Sequence, residues 1–306
     1  MLRAGMVTYQ DGKWVDDANA VVNVRSRALN YGMGCFGGVR GYLADDGHEV
    51  YVFRLQAHVD RLAHSAKILY LRMPSVDDTQ QILVELLRRN EVHHDVYLRP
   101  LLIHNSIALA PVLDETSSSF IAFCMPLKRY IDKDMIDVCV SSWRRVRDNA
   151  IPSRTKPTGA YLNSALARRE AKDNGFDEAI FLTDDGKVSE GSAEHVFIVR
   201  GNTLISPPST EDNLDGITRR SIIAMATEDL GLRFKERTIG RSELYVADEM
   251  FLCGTGAQIT PVASVDRRPV GNGQIGATTS KLKQHFDDVV HGRVEHRKSW
   301  LTPVWG

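Results

Sequence analysis

Apolar residues recur along this chain with two different periods. In residues 58–70, Val59, Leu62, Ala63, Ala66, Ile68 and Leu69 fall at the three- and four-residue spacing of one helix face. A second helix is predicted from about Val76 to Arg89, with Asn90 placed to end it. Residues 161–174 form a third, followed by Gly175. Residues 217–230 form a fourth, which puts Ile222, Ile223, Ala226 and Leu230 on one side and meets Gly231. Glycine just past a helix end can adopt the left-handed conformation that closes it. Residues 278–290 give the last helix. Between these lie short runs rich in β-branched and aromatic residues: 96–103, 120–124, 136–140, 179–182, 196–199 and 249–252. They are too short for buried helices and are predicted as strands. Val7-Thr8-Tyr9 and Trp14-Val15 flank Asp11-Gly12, which predicts a hairpin.

Helices and strands thus mix in both halves, which predicts an α/β (α+β) fold of two mixed domains. With 306 residues, a prior of about 150 residues per domain agrees. The polar, turn-like stretch around residues 126–135 is the expected interdomain loop. It separates a small domain at 1–125 from a larger one at 136–306, with a site expected in the cleft between them. A formal net charge of −1 gives no field to attract nucleic acid or an anionic membrane. No apolar run nears the ~20 residues of a membrane span, and the first residues lack the apolar core of a signal peptide. Cys35, Cys124, Cys139 and Cys253 stand far apart without a CxxC pair and read as reduced thiols of a cytoplasmic protein. The ten histidines include no HExxH, so no metal site is expected.

The chemistry gathers around Lys156, in Ile151-Pro152-Ser153-Arg154-Thr155-Lys156-Pro157-Thr158-Gly159-Ala160-Tyr161. Most lysines are solvated surface charges, but this one is held between turn-formers just before a helix. Downstream come Ser189-Glu190-Gly191-Ser192, then Gly216-Ile217-Thr218 opening a helix, then Gly254-Thr255-Gly256-Ala257. An amine nucleophile, a carboxylate, a helix N-terminus and a hydroxyl in a glycine-rich turn are the groups pyridoxal 5'-phosphate requires. The lysine forms an imine, the carboxylate keeps the ring nitrogen protonated, and the helix end takes the phosphate. Taken singly, Glu190 reads as a turn carboxylate, Thr218 as part of a plain helix cap, Thr255 as a tight turn and Tyr161 as a core tyrosine. Gly32-Met33-Gly34-Cys35-Phe36-Gly37 matches GxGxxG, but Val39-Arg40-Gly41-Tyr42-Leu43 after it reads as strand, where a dinucleotide fingerprint needs a helix.

Together these motifs resemble the fold-type IV pyridoxal-phosphate enzymes, whose architecture is that of the D-amino-acid aminotransferases, and most closely the branched-chain amino acid aminotransferases. The resemblance runs from Ser26-Arg27-Ala28-Leu29-Asn30-Tyr31-Gly32 through His58-Val59-Asp60-Arg61-Leu62 and Tyr97-Leu98-Arg99-Pro100. It continues through the Lys156 and Glu190 segments to Leu244-Tyr245-Val246-Ala247-Asp248-Glu249 and Gly254-Thr255. It implies that Lys156 carries the cofactor and shuttles the α-proton. Tyr161 would meet the phenolic oxygen, Glu190 the ring nitrogen, and Arg61, Ile217, Thr218 and Thr255 the phosphate. It implies substrate contacts from Tyr31, Phe36, Arg40, Tyr97, Arg99, Tyr130, Gly256 and Ala257, with Arg99 meeting the second carboxylate of glutamate or 2-oxoglutarate. Tyr31 would reach a neighbouring subunit, which implies a homodimer. The implied reaction is ping-pong transfer of an amino group between L-branched-chain amino acids and 2-oxoglutarate. Gly37 and Gly256 depart from the family pattern, where glutamate and alanine are usual. They leave open a D-amino-acid or (R)-amine transaminase of the same fold and, further off, an aminodeoxychorismate-type lyase.

Overall fold

The computed structural model describes residues 5–127 and 133–306. Its chain forms two compact units that do not follow sequence order. One comprises Met1–Lys128, Thr155–Gly159 and Asp288–Gly306, the other Arg129–Arg154 and Ala160–Asp287. A boundary drawn along the chain at 126–135 leaves residues 155–159 and 288–306 with the second domain, whereas both segments fold with the first unit.

The first unit is built on an antiparallel sheet. Its strands run in the order Leu301–Pro303, Val50–Phe53, Val39–Leu43, Val96–His104, Ser118–Pro126, Val7–Gln10 and Lys13–Asp16, with Gly34–Phe36 pairing Val96–His104. The expected hairpin is there: Tyr9 faces Trp14 across it, their rings edge to face at 5.0 Å. Helices Leu55–Ile68 and Val76–Arg89 pack on the sheet through a core that includes Val59, Leu62, Leu83, Leu86, Leu98 and Leu102. The second helix starts where Ser75 accepts the Asp78 amide at 3.0 Å and carries acids in its first turn and arginines in its last, which suits the helix dipole. The first helix starts three residues before the predicted 58, because Arg54 takes a left-handed φ of 53° and turns the buried Leu55 inward.

Two segments distant in sequence complete this unit. Val304 and Trp305 donate their amides to Glu49 Oε1 at 2.8 and 2.9 Å. Around the lysine, Pro157 bridges Cys35, while Thr158 donates its amide to Gly34 O at 2.9 Å and its hydroxyl to Gly32 O at 2.7 Å. Gly32 has φ +65°, and a methyl group on it would meet the Gly159 Cα at 2.9 Å, so both glycines are needed for the chains to approach. The segment after the GxGxxG match, Val39–Leu43, is strand and not helix, as its residue types predict.

The second unit holds a mixed sheet in the order Val188–Gly191, Glu178–Leu182, Ile136–Arg144, Gln258–Val265, Glu249–Gly254, His195–Arg200, Thr203–Ser206 and Arg233–Glu236. Arg268–Pro269 pairs at its side with Gln258–Val265. Helix Tyr161–Asp173 ends at Gly175, φ +76°. The helix predicted over 217–230 is α-helical only for Ile217–Ala224 and continues as a π-helical turn, Met225–Asp229. Thr227 donates its hydroxyl to Ile223 O at 2.9 Å there, a side-chain bond that competes with the regular ladder. Pro126, expected to open the interdomain loop, is the last residue of its strand, and Tyr130 lies outside the described residues. Cys35, Cys124, Cys139 and Cys253 are all free and buried. Among the described residues no helix is long and apolar enough to cross a membrane.

Candidate active site

In the first unit the backbone of Lys156 is fixed from both sides. Its carbonyl accepts the Phe36 amide at 3.1 Å, and its amide donates to Ser65 Oγ at 3.3 Å. Ser65 in turn donates its hydroxyl to the Arg61 carbonyl at 2.9 Å, one turn back on the same helix. The lysine segment is therefore tied to the helix that carries the buried Arg61. Lys156 Nζ lies 5.1 Å from the centre of the Phe36 ring, and the Arg99 guanidinium lies 4.2 Å from the same centre. Arg99 donates to the Tyr97 hydroxyl through Nε at 3.2 Å and Nη2 at 2.8 Å, which fixes its fork. Tyr97 and Arg99 share one face of their strand because side chains alternate. A methyl group on Gly38 would sit 2.6 Å from the Tyr97 hydroxyl, and one on Gly37 would sit 2.7 Å from Pro100 Cγ, so both glycines let these side chains lie against bare backbone. Arg40 is buried, 3.2 Å from Asp95 and over the Tyr42 ring. Tyr31 is exposed and donates its hydroxyl to the Leu109 carbonyl of its own chain.

In the second unit Glu190 is 6% exposed and held at both oxygens. Oε1 is 2.9 Å from Arg145 Nη2, and Oε2 accepts the Leu214 amide at 3.2 Å. A carboxylate held at both oxygens, by a guanidinium and a backbone amide, keeps its orientation. Helix Ile217–Ala224 begins at Gly216, which brings no capping side chain, so the buried first-turn amides of Ile217 and Thr218 have no cap to donate to. Thr255, Gly256 and Ala257 form the turn between strands Glu249–Gly254 and Gln258–Val265, and Thr260 braces it by donating its hydroxyl to Ala257 O at 2.8 Å. Tyr161 opens its helix, half-buried.

These donor and acceptor sets fit pyridoxal phosphate. An uncapped helix terminus suits a phosphate dianion. An oriented carboxylate suits a protonated pyridine nitrogen. Lys156 offers a primary amine on a fixed backbone. Sequence reasoning missed Ser65 and Arg145. Ser65 carried a weak signal, a small polar residue four positions after Arg61 on the apolar stripe of its helix. Arg145 carried none, because its partner is 45 positions away.

Glu194 is a second buried acid beside this strand. Burial and the neighbouring Glu178 carboxylate push it up to about 8 from an ordinary 4.5. The unfolded chain ionises this group from about 4.5 upward and the folded chain only near 8, so its burial costs stability increasingly with pH across that window. Glu194→Gln keeps an acceptor for the Ala193 amide, which now reaches Oε2 at 3.0 Å. The variant is expected to melt with wild type below about 4.5 and increasingly above it as pH rises toward about 8, measured by thermal unfolding of the cofactor-loaded protein. Equal melting differences at all pH values would show that the acid is ionised in the fold.

The chain is similar to known proteins along nearly its whole length. The model of the amino-transferase class IV family matches residues 34–265. The branched-chain-amino-acid aminotransferase of Escherichia coli (strain K12) is 38% identical over 304 residues, covering 96% of each chain. The branched-chain aminotransferase of Thermoproteus uzoniensis, solved with norvaline, superposes with a TM-score of 0.93 at 40% identity, over 98% of this chain and 99% of that one. The branched-chain amino acid aminotransferase of Thermobaculum terrenum, solved in its PLP-form, also gives 0.93, at 36% identity over 98% and 99%. The two α/β units thus have the fold of a pyridoxal-phosphate aminotransferase. The chain belongs to the class IV aminotransferases, in their branched-chain-amino-acid aminotransferase family.

Proposed function

We propose that this enzyme moves the amino group between L-branched-chain amino acids and 2-oxoglutarate by a ping-pong mechanism. The observation that carries the reading is the Phe36 ring with Lys156 Nζ on it at 5.1 Å and the Arg99 guanidinium at 4.2 Å. An apolar ring can pack a branched alkyl side chain, and the guanidinium beside it can take the second carboxylate of the dicarboxylic partner. One wall thereby serves both substrates.

Pyridoxal phosphate supplies, when bound, a carbon that takes up and releases the amino group and a ring that accepts the electron pair left by the α-proton. The residues of the chain do the rest. Lys156 Nζ holds the cofactor between turnovers, takes the α-proton and returns it. Proton transfer of this kind contributes ~10²–10⁴-fold. Glu190, backed by Arg145, keeps a proton on the ring nitrogen. The amides of Ile217 and Thr218, with Arg61 and Thr255, hold the phosphate, and Tyr161 meets the phenolic oxygen. Gly256 and Ala257 offer amides to the α-carboxylate. Arg40 supports the pocket wall through Asp95.

The active form is a homodimer on this reading, supported by exposed apolar side chains on the first unit. Val24 and Leu109 are 74% and 88% exposed, with Leu29 and Ile107 also bare. The Tyr31 hydroxyl, on the helix that carries Leu29, donates to the Leu109 carbonyl and so joins the two segments. Four buried, unpaired thiols support a reducing, cytoplasmic setting.

Separate half-reactions test the substrate. L-leucine and L-glutamate are each expected to bleach the visible band of the loaded enzyme, while D-alanine and (R)-1-phenylethylamine leave it unchanged. Bleaching by either of the last two would replace the L-branched-chain reading with that of a D-amino-acid or (R)-amine transaminase. Arg99→Gln is expected to raise KM for 2-oxoglutarate about ten-fold or more, as loss of a charge-assisted hydrogen bond does, with a much smaller change for leucine. Equal changes for both substrates would remove Arg99 from the second carboxylate.

A further inference from the structure

His195 opens the strand His195–Arg200, is 6% exposed, and has no part in the roles given above. Its imidazole touches two pieces of the cofactor machinery with opposite edges. Nδ1 stands 3.7 Å from Glu190 Oε2. The other edge lies on Gly216, the residue that caps the phosphate helix: a methyl group built on Gly216 would collide with the ring, closest to Nε2. The backbone of Gly216, at φ −78° and ψ 126°, is one that any residue adopts. The imidazole, and not the backbone, therefore demands glycine there. His195 also pairs with Cys253 across the sheet, directly before Gly254-Thr255.

We propose that His195 is a positioning residue for the cofactor, a rigid spacer that sets the distance between the Glu190 carboxylate and the helix terminus at Gly216–Thr218. The inference rests on the reading of Glu190 as the ring-nitrogen partner and of that terminus as the phosphate site. A planar imidazole has no internal torsion, so it fixes both contacts at once, which a flexible side chain cannot do. The charged groups around it are already paired. Arg145 holds Glu190 at 2.9 Å, and Arg219 in the first turn of the helix donates to Ser206 Oγ at 3.0 Å and to Glu236 at 2.6 Å. Glu194 next in the chain is pushed up by burial. The gap of 3.7 Å between Nδ1 and Glu190 Oε2 is that of packed atoms, longer than a hydrogen bond, and suits a spacer.

The test is a double-mutant cycle read by binding to the apoenzyme. The probes are pyridoxamine 5'-phosphate and inorganic phosphate, titrated calorimetrically. Gly216→Ala alone is expected to weaken both by about ten-fold or more, because the methyl group pushes the helix terminus off the ring. His195→Asn removes the edge that meets Gly216 while keeping an amide nitrogen near the place of Nδ1. It is expected to weaken inorganic phosphate as well. In the His195→Asn background the Gly216→Ala change is expected to cost nothing or to restore affinity, since the methyl group fills the vacated space. His195→Gln, which can reach toward Gly216 but leaves the place of Nδ1 empty, is expected to keep phosphate affinity and to shift the pH titration of the visible band in the loaded enzyme.

Additive losses in the double variant would overturn the proposal, as would phosphate affinity within about two-fold of wild type in both single variants. Circular dichroism melting of each apoenzyme separates a folding defect from a spacing defect. If Gly216→Ala does not fold, the contrast of Asn with Gln at position 195 still decides, and identical behaviour of those two would overturn the spacer. Wild-type apoenzyme that fails to bind pyridoxamine 5'-phosphate would instead sink the underlying cofactor reading.

Discussion

Lys156→Ala is expected to abolish turnover with L-leucine and to remove the visible cofactor band while leaving the protein folded. The fold survives because the segment is held through backbone atoms. The Phe36 amide still has the carbonyl of residue 156, at 3.1 Å in the wild type, and Ser65 Oγ still accepts the amide of residue 156, at 3.3 Å. What disappears is the only part of the residue with chemistry. Loss of the proton carrier alone removes ~10²–10⁴-fold, and loss of the amine that holds the cofactor adds to it. Lys156→Arg is expected to rescue nothing, since a guanidinium does not give up its proton in a protein. Added methylamine is expected to restore a small part of the rate in the alanine variant, because a free amine can enter where Nζ was. Steady-state rates, the visible spectrum and thermal melting read all three effects. Lys156→Ala with near wild-type turnover would refute the assignment of the nucleophile.

The second large effect is at Glu190. Glu190→Gln is expected to retain cofactor but to lose most of kcat, because a neutral amide does not stabilise a proton on the ring nitrogen. The same change takes the charged partner at 2.9 Å from Arg145, whose side chain is 12% exposed and keeps the Asp212 carbonyl 3.4 Å from its Nε. Breaking a buried pair by removing one member costs about 3–5 kcal/mol, with part of that recovered wherever water reaches the guanidinium. Stability and activity therefore fall together in the single variant. Adding Arg145→Met is expected to recover melting temperature but not kcat, which separates the charge pair from the chemistry. An unchanged kcat in Glu190→Gln would take the ring-nitrogen role away from this residue.

Much of the fold is legible in the chain because its signals are local. The helix Val76–Arg89 has its predicted bounds, with Asn90 after it, and the strand His195–Arg200 extends the predicted apolar run by a single residue at each end. Helix 55–68 starts earlier than its pattern because the positive φ of Arg54 leaves no mark in residue type. The grouping of residues 155–159 and 288–306 with the first unit was not legible. Residues 155–159 join Cys35, and residues 301–303 join Val50–Phe53, through pairings more than a hundred positions apart that no periodicity encodes. The same division applies to the candidate site. Lys156, Glu190 and Thr218 stand out by motif, and Arg61 only by resemblance. Ser65, Arg145 and His195, which hold those groups in place, act through tertiary contacts alone.

The interleaving of the units bears on how the protein is made. A ribosome releases the chain from its N-terminus, and domains usually fold as they emerge. Here Glu49 waits for the amides of Val304 and Trp305, and the strand Val50–Phe53 for Leu301–Pro303. The first unit to begin synthesis is thus the last to close, after residues 160–287 have already been able to fold. Until then an edge of its sheet is bare, and exposed edges recruit other chains. Nascent chains stalled before residue 301 are the ones from which aggregation is expected, and pairing of Leu301–Pro303 with Val50–Phe53 ends that exposure.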